Sequence, residues 1–181
     1  MSSILKRREI LKLGIAAGMG MAPALGRATT LVTSPSRQVS LHNLHTGESL
    51  KTVYWEEGSY IPDALSEVNH VLRDFRTGDV HPIDPRLLDL LTRLSSRAGA
   101  NAPFQVISGY RSPVTNAALH ERSHGVATHS LHMKGMAIDI RLPGLDLAQL
   151  HQAALGLRGG GVGYYPASDF VHVDVGPLRC W

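Results

Sequence analysis

The segment that most constrains the fold is a short apolar stretch, residues 136–142, which has the composition of a buried β-strand with one carboxylate inside it. Ile138 and Ile140 flank Asp139. Because side chains alternate between the two faces of a strand, both isoleucines point into the core and Asp139 points the other way. A buried carboxylate is costly unless it is paired. The fold must therefore bring partners to Asp139 from other parts of the chain.

The rest of the chain has helical patterns first and short strands later. Alternating residues on either side of Gly47 predict a hairpin, and Asp84-Pro85 predicts the start of a helix that ends near Gly99. This order favours an α+β fold with a single domain, in which a small antiparallel sheet is flanked by helices. The predicted strands are 39–44, 50–55, 104–107, 136–142, 162–165 and 170–175, and the predicted helices are 62–75, 85–99, 114–123 and 146–157.

The first 28 residues have the pattern of an export signal. A basic start that includes Arg7 and Arg8 precedes an apolar run over residues 13–25 and small residues suited to cleavage. The run is shorter than the 18 to 20 or so residues that span a bilayer, so no stable transmembrane anchor is expected in the mature form. The paired arginines resemble a twin-arginine signal, which predicts a periplasmic protein whose domain covers residues 29–181. An uncleaved amphipathic anchor helix is the alternative.

The charge distribution argues against a nucleic-acid partner. The formal net charge is +3, but residues 1–28 contain five basic residues and one acidic residue, a net of +4. The remaining chain therefore has a net charge of −1, too little positive charge for binding to phosphates. The one cysteine, Cys180, cannot form an internal disulfide and is a poor candidate for a nucleophile or a thiolate zinc site.

Three residues have the chemistry of zinc ligands. A catalytic zinc site uses three imidazole or carboxylate ligands and leaves a fourth position for water. His132 lies in the loop before the strand of Asp139, and His172 lies in a later strand that could pair alongside it. Each residue also has an ordinary alternative: a solvated loop histidine, a salt-bridged carboxylate and a core imidazole. These ligand types do not by themselves fix the metal, and copper is a further alternative.

Several motifs together resemble a known group of enzymes. They are Ser-x-His-x-x-Gly-x-Ala-x-Asp at 130–139, His-x-Asp at 172–174, and Ser-Gly-Tyr-Arg-Ser at 108–112. The pattern resembles the zinc metallopeptidases that include D-alanyl-D-alanine carboxypeptidases, VanX dipeptidases and the hedgehog signalling domain. It is most similar to the murein endopeptidase K branch, and the similarity also includes residues 43–49 and 160–166.

The resemblance implies an activity and a metal. In that group the first histidine, the aspartate and the late histidine bind Zn²⁺, which corresponds to His132, Asp139 and His172. The implied activity is hydrolysis of peptide cross-bridges in bacterial peptidoglycan, by a protein expected to be a monomer. A zinc-stabilised, non-catalytic peptidoglycan-binding module is the alternative.

The resemblance also implies roles for residues around the metal. Arg111 is expected to contact the substrate and to polarise its carbonyl or bind a carboxylate, with a structural arginine as the alternative. Ser130 and Tyr110 are further candidates for substrate binding.

Two carboxylates are candidates for the general base. Some relatives place a carboxylate three residues before the last zinc histidine, which here is Asp169. Residues three apart in a regular strand face opposite ways, so Asp169 works only if the preceding turn directs it inward. Asp174 lies two residues after His172 and shares its face, so it is a candidate for the base, a partner of the imidazole or a fourth ligand.

Overall fold

The computed structural model describes residues 35–122 and 126–181, which fold as a β-sheet with four α-helices. The predicted export signal at 1–28 lies outside the described residues. Within the described part, no helix is both long enough and apolar enough to cross a membrane. The strands are β1 (Ser36–Asn43), β2 (Ser49–Glu56), β3 (Ser59–Tyr60), β4 (Phe104–Ser108), β5 (Ala137–Arg141), β6 (Gly161–Tyr165), β7 (Phe170–Asp174) and β8 (Arg179–Cys180). The helices are α1 (Pro62–Val71), α2 (Pro85–Ala98), α3 (Pro113–Arg122) and α4 (Leu147–Leu157).

The strands form one eight-stranded sheet in the order β3-β2-β1-β4-β5-β7-β6-β8. The predicted α+β class is confirmed, and the strands that hold the candidate ligands, β5 and β7, pair antiparallel as expected. The sheet is larger than predicted and mixed, because β1 pairs parallel with β4 and β6 pairs parallel with β8. A parallel pair needs a long crossover, and between β1 and β4 the chain supplies one that contains α1 and α2.

Helix α2 begins and ends where its sequence predicts. Asp84 accepts a hydrogen bond from the backbone N–H of Arg86, Pro85 occupies the first helical position, and Gly99 ends the helix with a φ of 62°. Its leucine-rich face is completely buried against the sheet and α4. The sequence pattern therefore gives α2 the role of scaffold.

Helix α1 is shorter than predicted. The apolar pattern extends to Phe75, but the helix ends at Val71 and the chain turns at Leu72. The Leu72 carbonyl accepts a hydrogen bond from Tyr110 N, at 2.7 Å. This contact joins the end of α1 to the loop after β4 and positions that loop.

The register of β5 and β7 places the candidate ligands side by side. Asp139 is paired with His172, and Ile140 with Val171. Ile138, Ile140 and Val171 are fully buried in the core shared with the helices, as the alternation predicts. The opposite face of the same two strands therefore presents a carboxylate next to an imidazole.

Candidate metal centre

Three potential ligands converge on one point in the described part of the chain. His132, Asp139 and His172 are all buried, and each offers one ligand atom within 4.8 Å of the others. His172 Nδ1 lies 2.9 Å from Asp139 Oδ1 and 3.2 Å from His132 Nε2. His132 Nε2 lies 3.3 Å from Asp139 Oδ1. The structure thus brings together the three residues that the sequence singles out.

His132 is held by a single turn of 3-10 helix, Leu131–Lys134. Ser130 precedes this turn, and its hydroxyl accepts a hydrogen bond from the backbone N–H of His132 at 3.3 Å. Gly135 ends the turn with a φ of 63°, and a Cβ at this position would collide with the carbonyl of Pro82. Glycine is therefore required here for both backbone conformation and space.

The hydrogen bonds of the two imidazoles determine which nitrogens have free electron pairs. His132 Nδ1 lies 2.7 Å from the Gly109 carbonyl, which can only accept, so Nδ1 carries the proton and Nε2 does not. His172 Nε2 lies 3.1 Å from the Asp174 carboxylate, so its Nδ1 is left free in the neutral ring. Both free nitrogens point toward Asp139, as metal-binding histidines require.

The electrostatics of the site favour a cation between these three groups. Burial opposes ionisation of Asp139, but the two neighbouring imidazoles hold its pKa well below the ordinary value. Burial also opposes protonation of His172, yet hydrogen bonds to Asp139 and Asp174 raise the pKa of this imidazole. A metal ion bound between these three groups would supply positive charge that offsets the Asp139 carboxylate.

The spacing and chemistry of the donors fit zinc. A tetrahedral zinc ion with bonds of about 2.05 Å has ligand–ligand edges of roughly 3.3 Å. The three separations here, 2.9, 3.2 and 3.3 Å, are close to that value. Two imidazoles and one carboxylate also make up the three-ligand set of catalytic zinc sites, which leaves a fourth position open.

Asp174 lies behind the imidazole of His172. It is fully buried and accepts hydrogen bonds from His172 Nε2 and from the backbone N–H groups of Gly161 and Gly176, at 2.9 and 2.8 Å. Arg179 donates to it at 2.7 Å. Burial opposes its ionisation, but the bonds from His172 and the two glycines lower the pKa of Asp174. Both of its oxygens are thus engaged, which suits a residue that orients His172.

Asp169, the other candidate base, lies at the rim. Its backbone adopts a left-handed conformation, with a φ of 53°, in the turn before β7. Its side chain is 63% exposed and forms an ion pair with Arg141 at 3.0 Å. Its neighbours Ser168 and Phe170 line the cleft described next, whereas Asp169 itself does not.

The candidate metal centre opens into a cleft of about 440 Å³. Arg111 lines it with a side chain that is 11% exposed. Its closest partners are distant: Asn116 Oδ1 at 3.4 Å, Ser108 Oγ at 3.5 Å and Asp139 Oδ2 at 3.8 Å. Its Nε has no hydrogen-bond partner among the described residues. Burial lowers the pKa of Arg111 while Asp139 opposes that shift, and an arginine stays charged in proteins. The guanidinium is therefore available to an anionic or carbonyl oxygen.

The loop around Arg111 is fixed by contacts that the sequence analysis missed. The backbone N–H and the hydroxyl of Ser112 both donate to Asp74, at 2.9 and 2.8 Å. Arg111 N also donates to the His132 carbonyl at 3.2 Å. Asp74 is almost fully buried; burial opposes its ionisation, but hydrogen bonds from Thr115 and Ser112 lower its pKa. The loop thus holds Arg111 next to the three candidate metal ligands.

The two other predicted substrate-binding residues occupy different places. Ser130 is buried and lines the cleft. Tyr110 is not among the cleft residues; its ring stacks on His81, with centroids 4.6 Å apart, and packs against the core. The cleft residues that were not predicted as site residues from the sequence include Phe170, Arg179 and Trp181.

Comparison with known proteins gives a consistent result over almost the whole chain. A family model of the M15 peptidases described as peptidoglycan L,D-endopeptidase MepK matches residues 31–181. The peptidoglycan L,D-endopeptidase MepK of Escherichia coli (strain K12) is 47% identical over 176 residues, which cover 97% of this chain and 96% of that protein. The probable peptidoglycan L,D-endopeptidase MepK of Haemophilus influenzae is 40% identical over 178 residues, 97% of this chain and 95% of that protein.

Proposed function

Because the chain belongs to the peptidoglycan L,D-endopeptidase MepK family, we propose that it is a zinc-dependent peptidase that hydrolyses peptide cross-links in bacterial peptidoglycan. The observation that best supports this proposal is the convergence of His132, Asp139 and His172 at the floor of an open cleft. The relatives' names specify L,D bonds, so we propose that cross-links between two diaminopimelate residues are the preferred substrates.

Each residue of the site has a separate role in this proposal. His132, Asp139 and His172 would hold the ion, and Arg111 lies beside them. A zinc ion held there would supply Lewis acidity toward the scissile carbonyl and would lower the pKa of a bound water to about 7. Arg111 donates hydrogen bonds to the carbonyl oxygen as negative charge develops on it. Ser130 shapes the cleft next to His132.

Asp174 and Asp169 take different roles in this proposal. Asp174 positions His172, because both of its oxygens are already engaged behind the imidazole. Asp169 is then the remaining carboxylate candidate for the base. It would leave Arg141, accept the proton of the attacking water at a carboxylate oxygen, and deliver it to the leaving amine.

Two matched variants separate these roles. Asp174→Asn should weaken metal affinity about 10- to 100-fold, because His172 loses the carboxylate that orients its ring. Asp169→Asn should keep the metal affinity and lower kcat by roughly 10²-fold or more, as expected for loss of a general base. Competition against a chromophoric chelator gives the affinities, and assays at saturating metal give kcat. Unchanged metal affinity in Asp174→Asn would contradict its positioning role, and unchanged kcat in Asp169→Asn would remove it as the base.

We also propose a periplasmic location, export through the twin-arginine route and a monomeric state. The basic and apolar pattern of residues 1–28 supports the export route. A substrate in the cell wall supports a location outside the cytoplasm. The near-neutral net charge of residues 29–181 gives no support for a nucleic-acid partner.

Removing the metal tests the proposed activity directly. The zinc-loaded protein should convert cross-linked muropeptides in purified peptidoglycan to uncrosslinked ones, a chelator should stop this, and added zinc should restore it. Mass analysis of defined dimers then compares diaminopimelate–diaminopimelate with D-alanyl–diaminopimelate links. Absence of cleavage by fully loaded protein would favour the non-catalytic binding module. Faster cleavage of the D-alanyl link would contradict the proposed preference.

A further inference from the structure

Trp181 occupies a conspicuous position next to the metal centre. It follows β8 and lines the cleft, and its ring centroid lies 5.2 Å from that of His172. Its backbone is tied to β6, because Trp181 N donates to the Val162 carbonyl at 3.2 Å and Tyr164 N donates to the Trp181 carbonyl at 2.9 Å. Trp181 is nevertheless 48% exposed.

The indole of Trp181 is held on several sides. One face lies against Gly163, where an added Cβ would come within 2.7 Å of the ring. Its Nε1 donates to the Tyr165 hydroxyl at 2.6 Å. The Arg179 guanidinium lies 5.1 Å from the ring centroid. The orientation of this large apolar group is thus fixed although half of it faces solvent. A fixed, exposed aromatic surface in a cleft is typical of a binding surface.

The surroundings of Trp181 indicate what it would bind. Tyr165 and Phe170, whose rings stack with centroids 4.6 Å apart, also line the cleft, so the His172 side of the site has an aromatic wall. Arg111, by contrast, reaches the centre beside Asp139. The cleft therefore combines an apolar wall with a buried cation. This combination suits a peptide residue that has both a methylene chain and a polar backbone or carboxylate group.

We propose that Trp181 is a substrate-binding residue that packs against the aliphatic chain of a cross-bridge residue next to the scissile bond. This inference rests on the proposed function and adds a specificity element to the same site. Three methylenes of a diaminopimelate residue moved from water onto the indole correspond to a gain of roughly tenfold or more in affinity. The contact is made equally in the bound substrate and the transition state, so its loss should raise KM more than it lowers kcat.

Kinetics of three variants test this proposal with the full, zinc-loaded chain. Trp181→Ala should raise KM for a diaminopimelate-linked dimer about tenfold and change kcat little, while Trp181→Phe should lie between it and the wild type. Leu178→Ala is the matched control, because Leu178 is 56% exposed on the same segment but does not line the cleft. This control should leave KM unchanged. An unchanged KM in Trp181→Ala would overturn the proposal. A lowered zinc content with an unchanged KM would show instead that Trp181 shields His172 from solvent.

Fluorescence gives a second measurement that does not depend on turnover. The chain has two tryptophans, so Trp181 is the only one left in a Trp55→Phe background. The zinc-free form of this variant should leave the same dimer uncleaved. Titration of this form with the dimer should change the Trp181 emission in a saturable way. If the wild type cleaves no dimer but this titration saturates, the proposed peptidase activity is wrong and the binding role of Trp181 is supported. If cleavage occurs and the emission stays constant, the binding role of Trp181 is wrong and the peptidase activity is supported.

Discussion

Asp139→Asn is expected to lower the zinc affinity more than 100-fold and to reduce hydrolysis of cross-linked muropeptides to background. The neutral amide keeps the size of the side chain but loses the negative charge between the imidazoles of His132 and His172. Zinc sites with four ligands bind with about 10–16 kcal/mol, so each ligand contributes roughly 3 kcal/mol. That amount corresponds to at least about 100-fold in affinity.

The measurement for Asp139→Asn is metal content after dialysis, followed by a competition titration and an assay of the same samples. Asp63→Asn is a suitable control, because Asp63 is an exposed carboxylate in the first turn of α1. Thermal unfolding of both metal-free variants checks that the sheet is intact. Full activity in Asp139→Asn with normal zinc content would show that the metal is held elsewhere.

Arg111→Lys is expected to keep zinc and lose about 10²- to 10³-fold in kcat. Removal of one donor to a developing oxyanion costs an enzyme roughly that factor. Lysine preserves the charge but not the planar fork of donors, so it cannot reproduce two directed hydrogen bonds. The long contacts of the two terminal nitrogens of Arg111, at 3.4 and 3.5 Å, indicate that these donors are available to a ligand.

The readouts for Arg111→Lys are zinc content, kcat and KM on one defined dimer. Arg122→Lys makes the same chemical change at an exposed position at the end of α3 and should behave as the wild type. A loss confined to KM would show that Arg111 binds a substrate carboxylate in the ground state as well. Wild-type kinetics in Arg111→Lys would make this arginine structural.

The strand pattern around Asp139 predicted much of the site, because alternation is a local property of the chain. It placed the two isoleucines in the core and the carboxylate on the other face, and the register of β5 and β7 brings His172 next to that carboxylate. The start and end of α2 were equally readable, since Asp84, Pro85 and Gly99 act within one helical turn. Local chemistry of this kind is fully present in the sequence.

Contacts between distant segments could not be predicted in this way. Asp74 holds Ser112 across 38 positions of the chain, and nothing in the spacing of either residue indicates the other. The contact between Trp181 and His172 was equally unpredictable, because it depends on the parallel pairing of β6 with β8. Helix α1 ended early for the same reason, because the Leu72 carbonyl has its partner in the loop after β4.

The most direct test of the account is a crystal structure of the zinc-loaded protein with diffraction data collected on both sides of the zinc absorption edge. The account predicts one strong anomalous peak about 2.0–2.2 Å from His132 Nε2, His172 Nδ1 and an Asp139 oxygen, with its remaining position facing the cleft. A peak at any other place, or a zinc ion enclosed by four protein ligands, would contradict it.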